Sequence, residues 1–433
     1  MRRNRPAPPK KAHSGHRQVE LTVERIGGRG DGLATYEGHP VFVPQTVPGD
    51  RVRVKLLGER AGGITAEVLE LVEPGPLRAE PGCALFGRCG GCALQHVDDA
   101  GYAAWKRDQV ETALRRAGVE APVEAAIRTP EGVRRRATFA AKRAGGKVVL
   151  GFNERMSHWI VPVERCLVID PAIEAVLPAL RTTLDAVLPD GPPADVSVAV
   201  LDGGLDVLVT GGPAPDLAAR EAWAALAEGA DLARLSWRAE ERAPVEPLAH
   251  RRPVFARFGD VAVPVAPGAF LQASPEGEAA LVAAAGAALA GAARIIDLFS
   301  GAGTFTFPLA RKARVHAVEG DGAALDALAA GARGIPGITV ERRDLVREPV
   351  PAQALNRFDG VLFDPPRAGA ARQAEEIARS NVPVVVGVSC NPATFGRDAR
   401  VLVDGGYRLE RVTPVDQFLW SPHVELVGVF RRG

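Results

Sequence analysis

At 433 residues the chain is too long for one hydrophobic core, and its length calls for two to four domains. A 46% hydrophobic fraction excludes a largely disordered chain, and a net charge of +1 excludes a globally basic or acidic one, so any attraction to nucleic acid must be local. Five cysteines in that length exclude a disulfide framework and suit the reducing cytoplasm.

Residues Met1–Arg17 carry six Lys or Arg, three Pro and no acid, and are expected to form a disordered basic tail, either solvated or lying on phosphates. Beyond it the texture changes to short segments that alternate apolar and polar residues at period two: Val19–Ile26, Gly32–Tyr36, Pro40–Val43, Arg51–Leu57 and Ile64–Leu71. Gly27-Gly28, Gly30, Gly38 and Pro48-Gly49-Asp50 supply the turns. Such closely spaced strands predict a small β-barrel of the oligonucleotide-binding type over 18–74. The pattern V-x-x-x-x-G-x-G-D-G-x-A, followed by V-F-V-P and P-G-D-x-V-x-V, resembles a TRAM domain, an RNA-binding module.

A Pro-rich linker (Pro74, Pro76, Pro81) leads to Cys83, Cys89 and Cys92, a C-x5-C-x2-C group, with Cys166 further on. Three closely spaced thiolates and a distant fourth can fill a metal or iron–sulfur coordination sphere, and spacing alone leaves zinc and iron–sulfur both open. Val97–Ala117 predicts a helix carrying Lys106, Arg107, Arg115 and Arg116. Between Arg128 and Lys147 there are seven Lys or Arg against the single acid Glu131. The run Arg134-Arg135-Arg136 opens a strand and is expected at an edge in contact with phosphate, a merely solvated edge being the alternative. Val196–Leu201 and Leu205–Thr210 flank Asp202-Gly203-Gly204, a hairpin signal. Residues 75–268 therefore read as one α+β central domain.

From residue 269 onward apolar strands alternate with helices: strands near Arg294–Phe299, Val315–Glu319, Ile338–Arg342, Phe358–Phe363 and Val384–Ser389, and helices near Phe305–Arg311, Gly322–Arg333, Ala370–Ser380 and Thr394–Asp404. Two closing strands lie near Tyr407–Val412 and Val424–Arg431. This order predicts a doubly wound parallel sheet over 269–433, with ligands at the carboxyl ends of its strands. The longest apolar stretch, Ala279–Ala293, is too short to cross a membrane and reads as a packed helix. No leader segment and no obligate protein partner are evident, so a cytoplasmic location is expected.

Asp297-Leu298-Phe299-Ser300-Gly301-Ala302-Gly303 sits where the first strand of this sheet turns into a helix, and glycines there let backbone approach a ligand closely. The run is not G-x-G-x-x-G. A nucleoside without a pyrophosphate, such as S-adenosylmethionine (SAM), suits it better than a dinucleotide. Glu319 ends the second strand, where a carboxylate can accept hydrogen bonds from both ribose hydroxyls, and Asp344 ends the third, where it could meet adenine. Asp364-Pro365-Pro366-Arg367 ends the fourth. Its prolines fix an extended path and leave acceptors free for cofactor or base. Cys390, in Ser389-Cys390-Asn391-Pro392, stands alone at the carboxyl end of an apolar strand and is a candidate nucleophile. Glu425, in His423-Val424-Glu425, is a carboxylate in apolar context, a candidate base or a surface residue.

Over nearly its full length the chain resembles the uracil-C5 RNA methyltransferases. The segment F-G-R-C-G-G-C-A-L-Q-H, with Cys83 before and Cys166 after, resembles the family's iron–sulfur segment and implies a [4Fe–4S] cluster on Cys83, Cys89, Cys92 and Cys166. Phe270-Leu271-Gln272 resembles its F-x-Q and implies Gln272 at the SAM and uracil site. The D-L-F-S-G-A-G-T-F run implies Phe299 and Glu319 as cofactor contacts, and D-P-P-R implies Asp364 in the same pocket. S-C-N-P-A-T-F-x-R-D marks Cys390 as nucleophile, and H-V-E marks Glu425 as base. Ser274 stands where the family often has Asn. The resemblance implies SAM-dependent methylation of a uridine in RNA, 23S rRNA being favoured over the tRNA T-loop. Radical-SAM methylthiolation would need C-x3-C-x2-C on a barrel, which this chain lacks, and an inactive RNA-binding protein is disfavoured by the intact nucleophile motif.

Overall fold

The computed structural model describes residues 17–60 and 62–433, so the predicted basic tail over 1–17 lies outside the described residues apart from Arg17. The chain divides into two units: one of residues up to 87 together with 92–105 and 420–422, the other of 88–91, 106–419 and 423–433.

The first unit holds a six-stranded sheet of β1 (Gln18–Thr22), β2 (Arg25–Ile26), β3 (Gly32–Tyr36), β4 (His39–Val43), β5 (Arg51–Arg60) and β6 (Gly63–Glu73), in the order β1-β5-β6-β4-β3-β2. Its inward residues, among them Val41, Val43, Val52 and Val54, form a core of their own. The stretch expected as one strand from Val19 to Ile26 is two. Val23 donates to the Asp50 carbonyl and Glu24 to the Leu33 carbonyl, so the chain leaves its pairing with β5 and takes up pairing with β3. The G-D-G and P-G-D signals have structural causes. A side chain at Gly32 would meet Thr46 Oγ1 at 2.1 Å. Asp50 is fully buried and accepts from the amides of Val47 and Gly75, each at 2.8 Å, and from the Arg78 guanidinium. Burial pushes its carboxyl up, but Arg78 and these amides hold it below its ordinary value.

Helix α1 (Asp99–Arg116) follows, then the second unit's β7 (Ile127–Arg128), β8 (Arg136–Ala144), β9 (Lys147–Asn153), β10 (Ile160–Pro162), α2 (Pro171–Val187), β11 (Ala194–Leu201), β12 (Gly204–Thr210), α3 (Leu217–Gly229), β13 (Arg234–Arg238) and β14 (Glu246–His250). Strands β8–β14 build a seven-stranded mixed sheet, with the expected hairpin closing at Leu201 opposite Gly204. A small hairpin of β15 (Phe255–Phe258) and β16 (Val261–Pro264) leads to α4 (Pro275–Ala288).

The alternating region follows as β17 (Arg294–Leu298), α5 (Thr306–Ala310), β18 (Arg314–Glu319), α6 (Gly322–Gly331), β19 (Ile338–Arg342), α7 (Ala352–Leu355), β20 (Gly360–Phe363), α8 (Ala371–Arg379), β21 (Val384–Ser389), α9 (Pro392–Asp404), β22 (Tyr407–Asp416) and β23 (Glu425–Arg432). Its sheet order is β19-β18-β17-β20-β21-β23-β22-β7, parallel from β19 to β21, with β23 inserted antiparallel between β21 and β22. Both faces are covered, which is why Val384–Val388 is apolar at every position instead of alternating. The chain order reverses between β17 and β20, and at such a switch point the loops part to leave a crevice at the strands' carboxyl ends. Two-residue β7 joins the far edge beside β22, a pairing too short to carry a periodic signal.

Candidate active site

The residues around Cys390 explain why the cysteine sits where it does. Strand β21 ends at Ser389, and α9 begins with Pro392 in its first turn. Asn391 caps that helix by accepting from the Ala393 amide at 3.1 Å, and its side-chain amide donates to the Arg367 carbonyl at 3.1 Å. Thr394 Oγ1 donates to the same carbonyl at 3.3 Å, and buried Asp398 accepts from the Ala370 amide at 2.7 Å. The S-C-N-P-A-T-F-G-R-D motif therefore clamps the loop after β20 to the loop after β21. Cys390 is left as the half-buried link between strand and cap.

Sheet register brings Glu425 to it. Ser389 pairs with Leu426 across β21 and β23, so the next residues outward along the same antiparallel pair are Cys390 and Glu425. Glu425 is buried, 4% exposed. Burial, and then the nearby Asp364, push its carboxyl up to about 8, while a hydrogen bond from Gln417 and the charge of Arg136 pull the other way. Burial likewise raises Asp364 to about 7. Burial, with Glu425 and Asp364 beyond it, pushes the Cys390 thiol up to about 11. Cys390 and Glu425 thus lie side by side within the field of Asp364, and burial holds each of the three toward its protonated form.

Gln272 reaches the same place. It is buried, its Nε2 lies 3.4 Å from Asp364 Oδ2, and its Oε1 accepts from Gln417 Nε2 at 2.7 Å. Ser274, where the family that the sequence resembles often has Asn, caps α4 by accepting from the Gly277 amide at 3.1 Å, a role Asn serves equally well.

The loop after β17 forms the cofactor side. Phe299 adopts φ +60°, a left-handed conformation that is rare for a bulky residue and marks a built-in constraint. Gly301 follows at φ +56° and Gly303 at φ +107°, where a side chain would meet the Phe307 ring at 2.4 Å. Glu319, at the end of β18, accepts from the Gly301 amide at 2.8 Å and from the Gly320 and Asp321 amides at 2.7 Å each, so its carboxylate is fixed at the crevice with lone pairs left for hydroxyl donors. Asp297 is fully buried beneath the loop, and burial raises it to about 7. Its Oδ2 accepts from Thr306 at 2.6 Å, whereas its Oδ1 and the Ser300 hydroxyl make no hydrogen bond within the protein. Carboxylates and orphaned acceptors under a glycine loop suit a ligand with ammonium and sulfonium charges, so this half of the site fits SAM. Asp344 is exposed at the end of β19 and accepts from the amides of Val346 and Arg347, 3.1 and 3.3 Å away.

The arginine run corrects the expectation of a phosphate-binding or solvated edge. Arg135 is buried, pairs with Glu278 at 2.5 Å and donates to the Gln272 carbonyl at 3.0 Å. Arg136 donates to the Leu271 carbonyl at 2.6 Å, its guanidinium lies 4.9 Å from the centre of the Phe270 ring, and burial lowers it to about 10. Half-buried Arg134 donates to the Arg136 carbonyl at 3.1 Å. Arg135, just before β8, and Arg136, its first residue, therefore hold the F-L-Q segment in place, and a buried charge must be paired where an exposed one need not be.

The four other cysteines are half-buried. Cys83 and Cys92 belong to one unit, Cys89 and Cys166 to the other. Among the described residues no group of three or more His, Cys, Asp or Glu side chains is arranged to hold a metal ion. The donor chemistry of four thiols suits a cluster. No helix among the described residues is long and apolar enough to cross a membrane.

Sequence reasoning passed over three residues of this site. Asp297 stood inside a recognised loop but was given no role, Arg136 was assigned to the surface, and Gln417 carried no signal at all.

Comparison with known proteins agrees with this geometry. Residues 342–432 match the tRNA (uracil-5-)-methyltransferase family. An uncharacterized RNA methyltransferase of Caulobacter vibrioides is 46% identical over 95% of this chain and 100% of its own length. The 23S rRNA (uracil(1939)-C(5))-methyltransferase RlmD of Chromohalobacter salexigens is 35% identical over 95% of this chain and 89% of its own. Among solved structures, the Pyrococcus abyssi tRNA (uracil-54, C5)-methyltransferase in complex with S-adenosyl-L-homocysteine superposes with a TM-score of 0.73, 25% identity, and coverage of 95% of this chain and 100% of that one. A thiol and a carboxylate in register beside a SAM-type loop, together with relatives that span nearly the whole chain, establish that this protein belongs to the uracil-C5 RNA methyltransferase family.

Proposed function

We propose that the protein methylates C5 of a uridine in RNA, using SAM, by way of a covalent bond between Cys390 and C6 of the base. The carrying observation is the cross-strand register that puts Cys390 and Glu425 side by side at the carboxyl edge of the sheet. C5 of uracil is a weak nucleophile. Once its S–H proton has passed to water, the Cys390 thiolate adds to C6 and turns the C4–C5–C6 unit into an enolate whose C5 carries the electron pair. SAM, when bound, supplies the electrophilic methyl group and leaves with its sulfur neutral. Glu425 then takes the proton from C5, the electrons of that C–H bond re-form the C5–C6 double bond, and the Cys390 sulfur departs with its electron pair. Gln272 and Asp364 line the base side of the pocket, and Phe299, Glu319 and Asp297 the cofactor side. The target base must leave its stack to reach a half-buried thiol.

The 23S rRNA reading is favoured over tRNA by the higher identity to the ribosomal enzyme of Chromohalobacter salexigens. Deleting the gene should remove one 5-methyluridine from 23S rRNA and leave the tRNA T-loop unchanged, as read by mass-spectrometric mapping of both RNAs. Loss of the tRNA methyl group instead would reassign the substrate. Either substrate is met in the cytoplasm, where we place the enzyme.

The six-stranded sheet of the first unit, with its G-D-G and P-G-D turns, supports the reading of a TRAM-type RNA-binding module. We also propose a [4Fe–4S] cluster on Cys83, Cys89, Cys92 and Cys166, a reading supported by the donor set alone. No step of methyl transfer draws on it. Protein purified without oxygen should be brown and carry about four irons per chain. Stoichiometric zinc, or no metal, overturns the cluster and leaves the methyl-transfer scheme intact.

A further inference from the structure

Gln417 lies beyond the end of β22, buried to 2% exposure, at the meeting point of three segments that carry the site. Its Oε1 accepts from the Ala273 amide at 2.9 Å. A backbone amide can only donate, so this bond fixes which end of the Gln417 side chain is oxygen and turns its NH2 group toward the site. One of those N–H bonds goes to Gln272 Oε1 at 2.7 Å, and the register that pairs Val415 with Glu425 sets Gln417 two residues beyond that pair, where its amide counters the upward push on the Glu425 carboxyl. With its oxygen so engaged, Gln272 must in turn present its own NH2 group to the pocket and to Asp364 Oδ2. The backbone makes room for this relay: a Cβ on Gly277 would lie 2.6 Å from Gln417 Cβ. The strand end is itself anchored, because buried Lys106 pairs with Asp416 at 2.7 Å and donates to the Phe418 carbonyl at 3.4 Å.

We propose that Gln417 is a positioning residue for the reaction, orienting the Glu425 carboxylate toward the C5 proton and locking the Gln272 amide with its donor face to the base. This rests on the assignment of Glu425 as the base. Glu425 feels the charge of Asp364 after β20 and of Arg136 at the start of β8, and its own charge acts on Cys390 after β21. Gln417 is the neutral donor among them, and it stabilises the ionised carboxylate that must accept the proton.

The test is the decay of the methylated protein–RNA adduct, followed on denaturing gels from pH 6 to 10 for wild type, Gln417→Met and Gln417→Glu. Loss of the amide donor that favours the ionised Glu425 should slow the decay about tenfold near neutrality. The midpoint of the pH dependence should move up by about one unit in Gln417→Met, and further in Gln417→Glu, which adds a third carboxylate. The KM for SAM should stay within about twofold, since the Gln417 hydrogen bonds run to Ala273 and Gln272 and not to the loop after β17. A merely structural role would lower the melting temperature and the rate together while leaving the midpoint in place, and that result overturns the proposal. Gln417→Glu keeps the shape of the side chain and decides the matter if Gln417→Met fails to fold. If Glu425→Gln itself turns over normally, the base assignment has failed. If Glu425→Gln is trapped while both Gln417 variants decay like wild type, only the relay has failed.

Discussion

Replacing Cys390 with alanine should abolish 5-methyluridine formation, by more than about 10³-fold, in line with nucleophile deletions in covalent enzymes. The variant should also give no denaturation-resistant RNA adduct. Cys390 projects from a capped strand–helix junction whose bonds run through Ser389, Asn391, Thr394 and Asp398, none of them through the sulfur, so the substitution should fold and melt close to wild type. SAM should still bind, because the loop after β17 does not involve the cysteine. Residual C5 methylation by Cys390→Ala would overturn the addition scheme as a whole.

The second large effect separates the two halves of the reaction. Glu425→Gln should leave addition and methyl transfer in place but remove the proposed proton acceptor, so the methylated adduct should accumulate, with release slowed by about 10²- to 10⁴-fold, the usual contribution of a positioned base. A 5-fluorouridine RNA should trap wild-type enzyme at the same stage, because fluorine cannot leave as a proton does. The pH dependence carries a definite sign. Glu425 is raised to about 8, the base works only when ionised, and adduct release by wild type should therefore rise as pH increases through that region. The Cys390 thiol, raised to about 11, adds a climb in adduct formation at higher pH. A flat profile between pH 6 and 9 would show that another group removes the proton.

The alternating half of the fold was legible because its strands are buried on both faces and so announce themselves as unbroken apolar runs such as Val384–Val388. The position of Cys390 was legible for a related reason: a polar S-C-N-P directly after such a run has to lie at the ligand edge of the sheet. Glu425 needed the resemblance, since a strand-opening glutamate reads equally well as solvated until register sets it beside Cys390. The arginine run misled because consecutive charges ordinarily signal water, whereas Arg135 is buried against Glu278, 143 positions away. Gln417 was invisible because its meaning lies in partners 145 positions earlier and on the next strand, and no local pattern records such a pairing. A two-residue strand like β7 is silent for the plainer reason that it holds no period.

The order in which the sheet is made differs from the order in which it is built. Strand β23 is synthesised after β21 and β22 yet lies between them. While the ribosome is still producing residues 390–424, β21 presents an open edge of Val384-Val385-Val386-Gly387-Val388, a sticky template for other nascent chains. The strand that shields this edge is the one that opens with Glu425. Burial of the aggregation-prone valines and arrival of the proposed proton acceptor are thus one folding event, and a polypeptide interrupted before residue 425 should be insoluble as well as inactive.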